Sequence, residues 1–411
     1  MSEGVADISV ESRNASSAAS VSSAKLDSST RILLALVILG IAARFVLWSI
    51  SYGTSDVDLW EKVGRGCARH GIVATYIADP DCNQPPGQVI WADAACRAGH
   101  ATHLGFARMF KLPMVLADVI VTLLLWRILR ERTGLAFAAA VGAALYAWSP
   151  AAILLSAHHG NGDSVYAMLA LLAVYLIDQR RADFLGGLAL GAAINVKLIP
   201  VLLIPPLLLD FREPRRAMRL LAGLAIMAIP SLIVLARAPG AFYQHVLAYN
   251  SYVTGWGVQK ILLDAMKEPA FSIAAESLSA MYHADGRYVV LGAVLLLALL
   301  QWRTRKLNRY QLASTTMALF LVLTPGFGIQ YLVAVIPLMF AADVRRATVF
   351  SLMAALMLLT AYVPLWDGTL PIRTLGSWNP RGLAPTFGLL AWASLVEFTF
   401  QNFVHLRRRE I

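Results

Sequence analysis

Charge is scarce in this sequence. Only 15% of its 411 residues are Asp, Glu, Lys or Arg, while 58% are hydrophobic. Soluble domains carry about a quarter charged residues, and the mean hydropathy of +0.62 points the same way. Too few polar side chains remain to cover a soluble core, which excludes a soluble enzyme, a secreted domain and a disordered chain. Cysteine is scarce as well. Cys67, Cys82 and Cys96 are too few for a disulfide scaffold. Nucleotide and hydrolase signatures are missing: there is no G-x-x-x-x-G-K-[ST], no G-x-G-x-x-G in a βαβ setting and no G-x-S-x-G. ATP-driven transport and serine-hydrolase chemistry therefore lack their marks. Without CxxC or HExxH spacing, Cys67, His70, Cys82, Cys96, His100 and His103 do not make a zinc motif. No internal repeat is visible.

What the sequence has is apolar runs. Candidate helices fall at about 31–50, 112–129, 135–155, 164–179, 217–236, 288–302, 311–323, 331–342, 347–366 and 386–404, close to the roughly 20 residues a crossing needs or somewhat short of it. These predict an all-α polytopic membrane protein, a bundle of about 10–13 transmembrane helices. The first thirty residues contain ten serines and no apolar block. They read as a disordered cytoplasmic tail (1–30) before a membrane domain spanning 31–411. The run from Arg31 to Ile50 is too long for a signal sequence and stands as the first helix. The stretch from Asp183 to Leu209, flanked by Arg180-Arg181 and by Arg212, Arg215 and Arg216, predicts two half-length arms returning to one side. Pro200 and Pro205-Pro206 interrupt them.

Sidedness follows from the basic residues. With the N-terminus inside, 21 of the 35 lie in cytoplasmic segments and 12 in long outer loops, leaving Arg44 and Lys197 within the membrane. The net charge of +10 is thus topology and not nucleic-acid affinity. Both termini are placed in the cytoplasm. The large first loop, 51–111, faces the oxidising side, where one disulfide with a cysteine left over is expected.

Several outer-face groups have the residue types that chemistry needs. Asp56 and Asp58 open the first loop, where paired carboxylates suit general-base work or metal ligation, or act only as the acidic start of a helix capped by Ser55. Asn83-Gln84-Pro85-Pro86 presents amides on a stiff turn. The loop His158-His159-Gly160-Asn161-Gly162-Asp163 leads into a helix start, where backbone N–H groups favour anions. Lys197 lies some 13 residues in from the cytoplasmic edge, roughly 20 Å at 1.5 Å per residue. A cation at that depth asks for a partner, and an outer-leaflet phosphate is one. Gln330, Tyr331 and Trp256 supply the amide and aromatic groups that sugars stack on, or serve as interfacial anchors.

In chain order, Asp56-Val57-Asp58, Asn83-Gln84-Pro85-Pro86, Gly160-Asn161-Gly162-Asp163-Ser164, Lys197-Leu198-Ile199-Pro200 and Gln330-Tyr331 with Pro337 resemble the motifs of the C-type integral membrane glycosyltransferases. Within that group the chain is similar to the catalytic subunit of the first GPI mannosyltransferase and to bacterial, family-87-like transferases using polyprenyl-phosphate mannose. The resemblance spans roughly residues 35–345. It implies a many-helix fold and a polyprenyl-phosphate sugar donor. It further implies a glycolipid or glycan acceptor, inversion at the anomeric carbon, and an extracytoplasmic active site in a bacterial inner membrane. Asp56 would be the general base and Asp58 its support. Lys197, His158 and His159 would hold the donor phosphate. Asn83, Gln84, Asn161, Asp163, Trp256, Gln330 and Tyr331 would bind sugar or acceptor. No cofactor or metal is assigned. The doubled histidine, the cysteine-rich first loop and the Ser-rich tail depart from the pattern and leave sugar and acceptor open. The rival readings are a lipid-linked sugar flippase and a non-catalytic cell-envelope assembly subunit.

Overall fold

A computed structural model of the chain describes residues 27–362 and 380–407. The Ser-rich tail before residue 27 and the loop holding Trp366 and Trp378 lie outside the described residues. Every regular element among the described residues is helical. The chain runs α1 (Ser28–Ile50), α2 (Ser55–His70), α3 (Ile72–Ala78), α4 (Pro86–Thr102), α5 (Phe106–Thr133), α6 (Ala136–Ala147), α7 (Pro150–Ile153), α8 (Asp163–Asp178) and α9 (Asp183–Val196). It continues through α10 (Ile204–Asp210), α11 (Pro214–Arg237), α12 (Pro239–Phe242), α13 (Gly257–Ala265), α14 (Ser272–Thr304), α15 (Arg309–Leu323), α16 (Ile336–Ala342), α17 (Val344–Ala361) and α18 (Ala384–Arg407).

The protein is an all-α, multi-pass membrane protein. Among the described residues, five helices (α1, α5, α11, α14 and α17) are long and apolar enough to cross a bilayer, and a sixth span forms if the bent pair 136–147 and 150–159 counts as one. Their outward faces carry exposed Leu, Ile and Val, as on α14 at Val289, Leu291, Leu295 and Leu299. A lipid solvent accounts for such a surface. The sequence predicts ten to thirteen crossings, and among the described residues five or six helices have the length and hydropathy for one. Helices such as α8, α9 and α15 have 14 to 16 residues and lean on their neighbours instead.

The 183–210 segment folds as the hairpin its prolines predict. Arg216 binds Asp183 with its Nη2 at 2.7 Å, while Arg309 reaches Asp178 at 3.2 Å and Asp210 at 3.0 Å, so both arms end in one ionic cluster. Lys197 is at the tip. There the backbone turns extended (φ −152°, ψ 142°) between α9 and a 3₁₀ turn, Ile199–Leu203. α9 seats tightly on α11 because Gly187 faces Gly223. A Cβ on Gly187 would come 2.2 Å from the Leu220 carbonyl oxygen. Small residues of this kind let membrane helices approach closely.

The 51–111 segment is not a loop. α2, α3 and α4 pack around a core of Val57, Trp60, Tyr76 and Val89 that they share with Phe110 of α5 and with Val234 and Phe242 of α11 and α12. Phe110 lies between Trp60, Trp91 and Phe106 at centroid distances of 6.2, 5.0 and 5.0 Å. Cys67 and Cys82 are buried in this region, and all three cysteines are free thiols. The expected disulfide is therefore absent. Cys67 on α2 and Cys82 in the turn between α3 and α4 pack into the same core as small apolar residues.

One buried network braces the scaffold. Arg44 is fully buried and donates to Asp118 at 2.6 Å, to the Gly40 carbonyl at 2.9 Å and to the carbonyls of Ala147 and Tyr146. Asp118 also accepts from the Tyr146 hydroxyl and, at 3.0 Å, from Ser156. This satisfied cluster clamps the break between α6 and α7, which starts the turn carrying the histidines.

Candidate active site

The site gathers where three chain breaks meet: the start of α2, the loop before α8 and the tip of the 183–210 hairpin. Past α7 the helix widens into a π-type turn, Leu154–His159, and stops at Gly160. Such turns recur at functional sites because they displace side chains from the regular helical stripe. Gly160 has φ +84°, and a Cβ there would come within 2.3 Å of Val57 Cγ2. Only glycine lets α2 seat this closely on the loop. Thr54, not Ser55, caps α2, its side chain accepting from the Asp56 N–H. It also donates to the His159 carbonyl at 2.7 Å, which fastens helix to loop.

Asp56 is the centre of the arrangement. Asn161 Nδ2 donates to its Oδ2 at 2.7 Å, and His159 Nε2 lies 3.3 Å from the same oxygen, in contact but outside hydrogen-bond geometry. His159 Nδ1 shares a 2.6 Å hydrogen bond with the Tyr362 hydroxyl, which orients the ring. Burial pushes the Asp56 carboxyl up. His159, Asn161 and the charge of Lys197 outweigh this and hold it below the ordinary aspartate value of 3.8. Asp56 is therefore an ionised carboxylate at neutral pH, partly exposed at 31%.

Two residues past Asn161, Asp163 meets the hairpin tip. Lys197 donates to both Asp163 carboxylate oxygens at 2.9 Å, and the side chains are 4% and 2% exposed. The Tyr331 ring lies 4.6 Å from the ammonium. Lys197 thus finds its partner inside the protein. It also lines a cavity of about 220 Å³ walled by Asn83, Gln84, Tyr249, Asn250, Arg287 and Tyr331, with an apolar flank that includes Ile199, Leu202 and Leu291.

The predicted residues divide. Asn83, Gln84, Lys197 and Tyr331 line the cavity, while Asp56, His159 and Asn161 interlock beside it. His158 turns away and bonds Ser51 at 2.6 Å. Asp58 leaves the group because residues two apart on a helix point about 200° apart. It accepts from the Tyr52 hydroxyl at 2.6 Å and faces a separate polar cleft with Glu61, Lys62, Arg65 and Asp79. Gln330 is half-buried against Gly328. Trp256 does not face the cavity: it is 1% exposed, stacks on Phe327 at 4.3 Å and donates to the Leu321 carbonyl at 2.7 Å. Its sugar-binding assignment gives way to a place in the core.

Sequence reading missed four participants. Tyr362 sits at the end of an otherwise apolar run, with no motif to mark it. Lys111 counts by sequence as a loop residue, yet it lies inside α5, fully buried, donating to the carbonyls of Ser51 and Ala157. Gln88 is 1% exposed with neither end of its amide hydrogen-bonded, next to Gly162. Arg287 counts as one outer-loop basic residue among several, although it lines the cavity.

An ionised Asp56 carboxylate thus lies beside the buried Lys197–Asp163 pair, at the ends of short helices in a chain whose longer helices are apolar enough to cross a bilayer. The chain matches the model of glycosyltransferase family 87 over residues 102–325, more than half its length, and belongs to that family. It is a membrane glycosyltransferase. The matched segment holds the histidine loop, Asp163, Lys197 and Arg287, and ends short of Asp56 on one side and Tyr331 on the other.

Proposed function

We propose that this protein transfers a hexose, mannose by preference, from a polyprenyl-phosphate donor to a glycolipid or glycan acceptor on the extracytoplasmic face of a bacterial inner membrane, with inversion. One observation carries the reading. The 160–163 loop ties the Asp56 carboxylate, through Asn161, to the Lys197–Asp163 pair on the cavity wall.

The chemistry follows from those positions. The acceptor hydroxyl oxygen attacks the anomeric carbon from the face opposite the phosphate. Asp56, already ionised, takes the hydroxyl proton as the new bond forms. The bond from the anomeric carbon to the phosphate oxygen breaks, and its electron pair leaves with the polyprenyl phosphate. That anion is a stable leaving group and needs N–H donors more than an acid. The Lys197 N–H not given to Asp163 would serve as one such donor. His159, held by Tyr362, keeps Asp56 aligned. Asn83, Gln84 and Tyr331 offer amide and hydroxyl groups to the sugar. Asp58, facing the outer cleft, acts on the acceptor side.

Purified protein incubated with radiolabelled polyprenyl-phosphate mannose and a membrane-lipid extract should label a lipid product. Labelling equal to a protein-free control, with every donor sugar tried, would contradict the donor class.

A further inference from the structure

The cavity that Lys197 lines has a second cation, and among the described residues it meets only the Tyr288 ring, 6.0 Å away, and one marginal backbone contact. Arg287 stands midway along α14, half-buried, on the cavity wall. No carboxylate among the described residues pairs with it, its Nε is buried without any partner, and Nη2 has only a marginal 3.5 Å contact with the Ala284 carbonyl in its own helix. Lys197, by contrast, is neutralised by Asp163. The cavity's uncompensated positive charge is therefore that of Arg287.

Its backbone is held in place. Gly286 packs so closely on Pro325 that a Cβ would come 2.8 Å from the ring, and Tyr282, one turn earlier, donates to the Leu323 carbonyl at 2.7 Å. Asn250 reaches the His283 carbonyl at 3.4 Å from the facing loop. Depth matters too. Arg287 lies 17 residues from the far end of α14 at Thr304, about 25 Å at 1.5 Å per residue, near the outer edge of a hydrocarbon core of about 30 Å. Beside it Leu291 both lines the cavity and is 44% exposed on the lipid-facing side, so the apolar wall continues into the membrane. An unpaired guanidinium at that level is costly unless an anion meets it, and its planar donors suit a phosphate.

We propose that Arg287 is the phosphate anchor of the lipid-linked donor, with the prenyl chain leaving the cavity past Leu291. The assignment rests on the donor class given above and adds the residue that holds it. Lys197 then acts at the sugar end of the phosphate, while Arg287 sets affinity.

The test uses the full chain in phosphatidylcholine nanodiscs and two probes: polyprenyl phosphate, the leaving group without its sugar, and the matching polyprenol. Wild type should bind the phosphate much more tightly than the alcohol. Arg287→Gln should lose about 10- to 100-fold in affinity for the phosphate, as expected for a charge-assisted contact, with polyprenol binding unchanged. Arg287→Lys should recover part of the loss. If wild type binds both probes equally, the lipid-phosphate donor reading fails. If wild type prefers the phosphate and Arg287→Gln, with an unchanged melting temperature, prefers it equally, the donor reading stands and the Arg287 assignment falls. Repeating the titration with phosphatidylglycerol in the disc separates the sources of phosphate. If bulk phospholipid abolishes the difference between wild type and Arg287→Gln, Arg287 is an interfacial anchor and the proposal is overturned.

Discussion

Lys197 and Asp163 form a closed ion pair, 2.9 Å from the ammonium to each carboxylate oxygen, with both side chains at least 96% buried. Removing one partner of such a pair leaves a buried charge and costs about 3–5 kcal/mol, whereas replacing both is often near neutral. Lys197→Met and Asp163→Leu should each lower the melting temperature of the detergent-solubilised protein. The double variant should regain much of that stability without regaining transfer. A double variant that is stable and fully active would mean the pair serves the fold alone.

The pH profile carries the signature of the Asp56 environment. Its pKa lies below 3.8 in the folded protein, so the carboxylate persists as pH falls, and kcat/KM should have no acidic limb attributable to Asp56 above pH about 4. His159 is one of the groups that lower it, against the opposing effect of burial. His159→Asn should therefore move the acidic limb upward, with a smaller upward move for Asn161→Ala. A downward move would reverse the assigned electrostatics.

Gly160 holds α2 against the histidine loop. Gly160→Ala places a methyl on Val57 and forces a left-handed backbone on a residue that pays about 1–2 kcal/mol for it. Transfer should fall at least about tenfold, because small displacements of a positioned base are costly. Adding Val57→Ala should restore part of the rate, since it relieves the contact and leaves the backbone strain. No rescue would show that the contact is not what matters.

The free thiols can be counted. Burial pushes the Cys96 thiol up to about 11 and Cys82 higher. Maleimide labelling of the native protein at pH 7.5 should be slow, and all three thiols should react after denaturation without reductant. Finding one reactive thiol in the denatured protein would reveal a disulfide.

Much of this architecture is written in the sequence because the bilayer enforces it. The ten apolar runs are largely helical where described, although 135–155 breaks into two bent pieces, 331–342 opens in a 3₁₀ turn and 363–366 lie outside the described residues; the prolines at 200, 205 and 206 with basic flanks marked a hairpin. The polar features were harder to read. Asp56 and Asp58 look like a pair in a row of letters, but a helix turns them to different clefts. The 51–111 segment lacks long apolar runs, so its three short helices and the core they share with α5, α11 and α12 were read as a loop. Trp256 has the right chemistry for sugar and the wrong address. Tyr362, Lys111 and Arg287 enter the site from distant helices, where neighbours in space and not in sequence decide their roles.

The central claim is that Asp56 removes the acceptor proton. Asp56→Asn keeps the size of the side chain and an oxygen for Asn161 while removing the base. Single-turnover transfer of labelled sugar from a polyprenyl-phosphate donor should fall about 10²–10⁴-fold relative to wild type, with binding of polyprenyl phosphate unchanged. Wild-type turnover by Asp56→Asn would contradict the account.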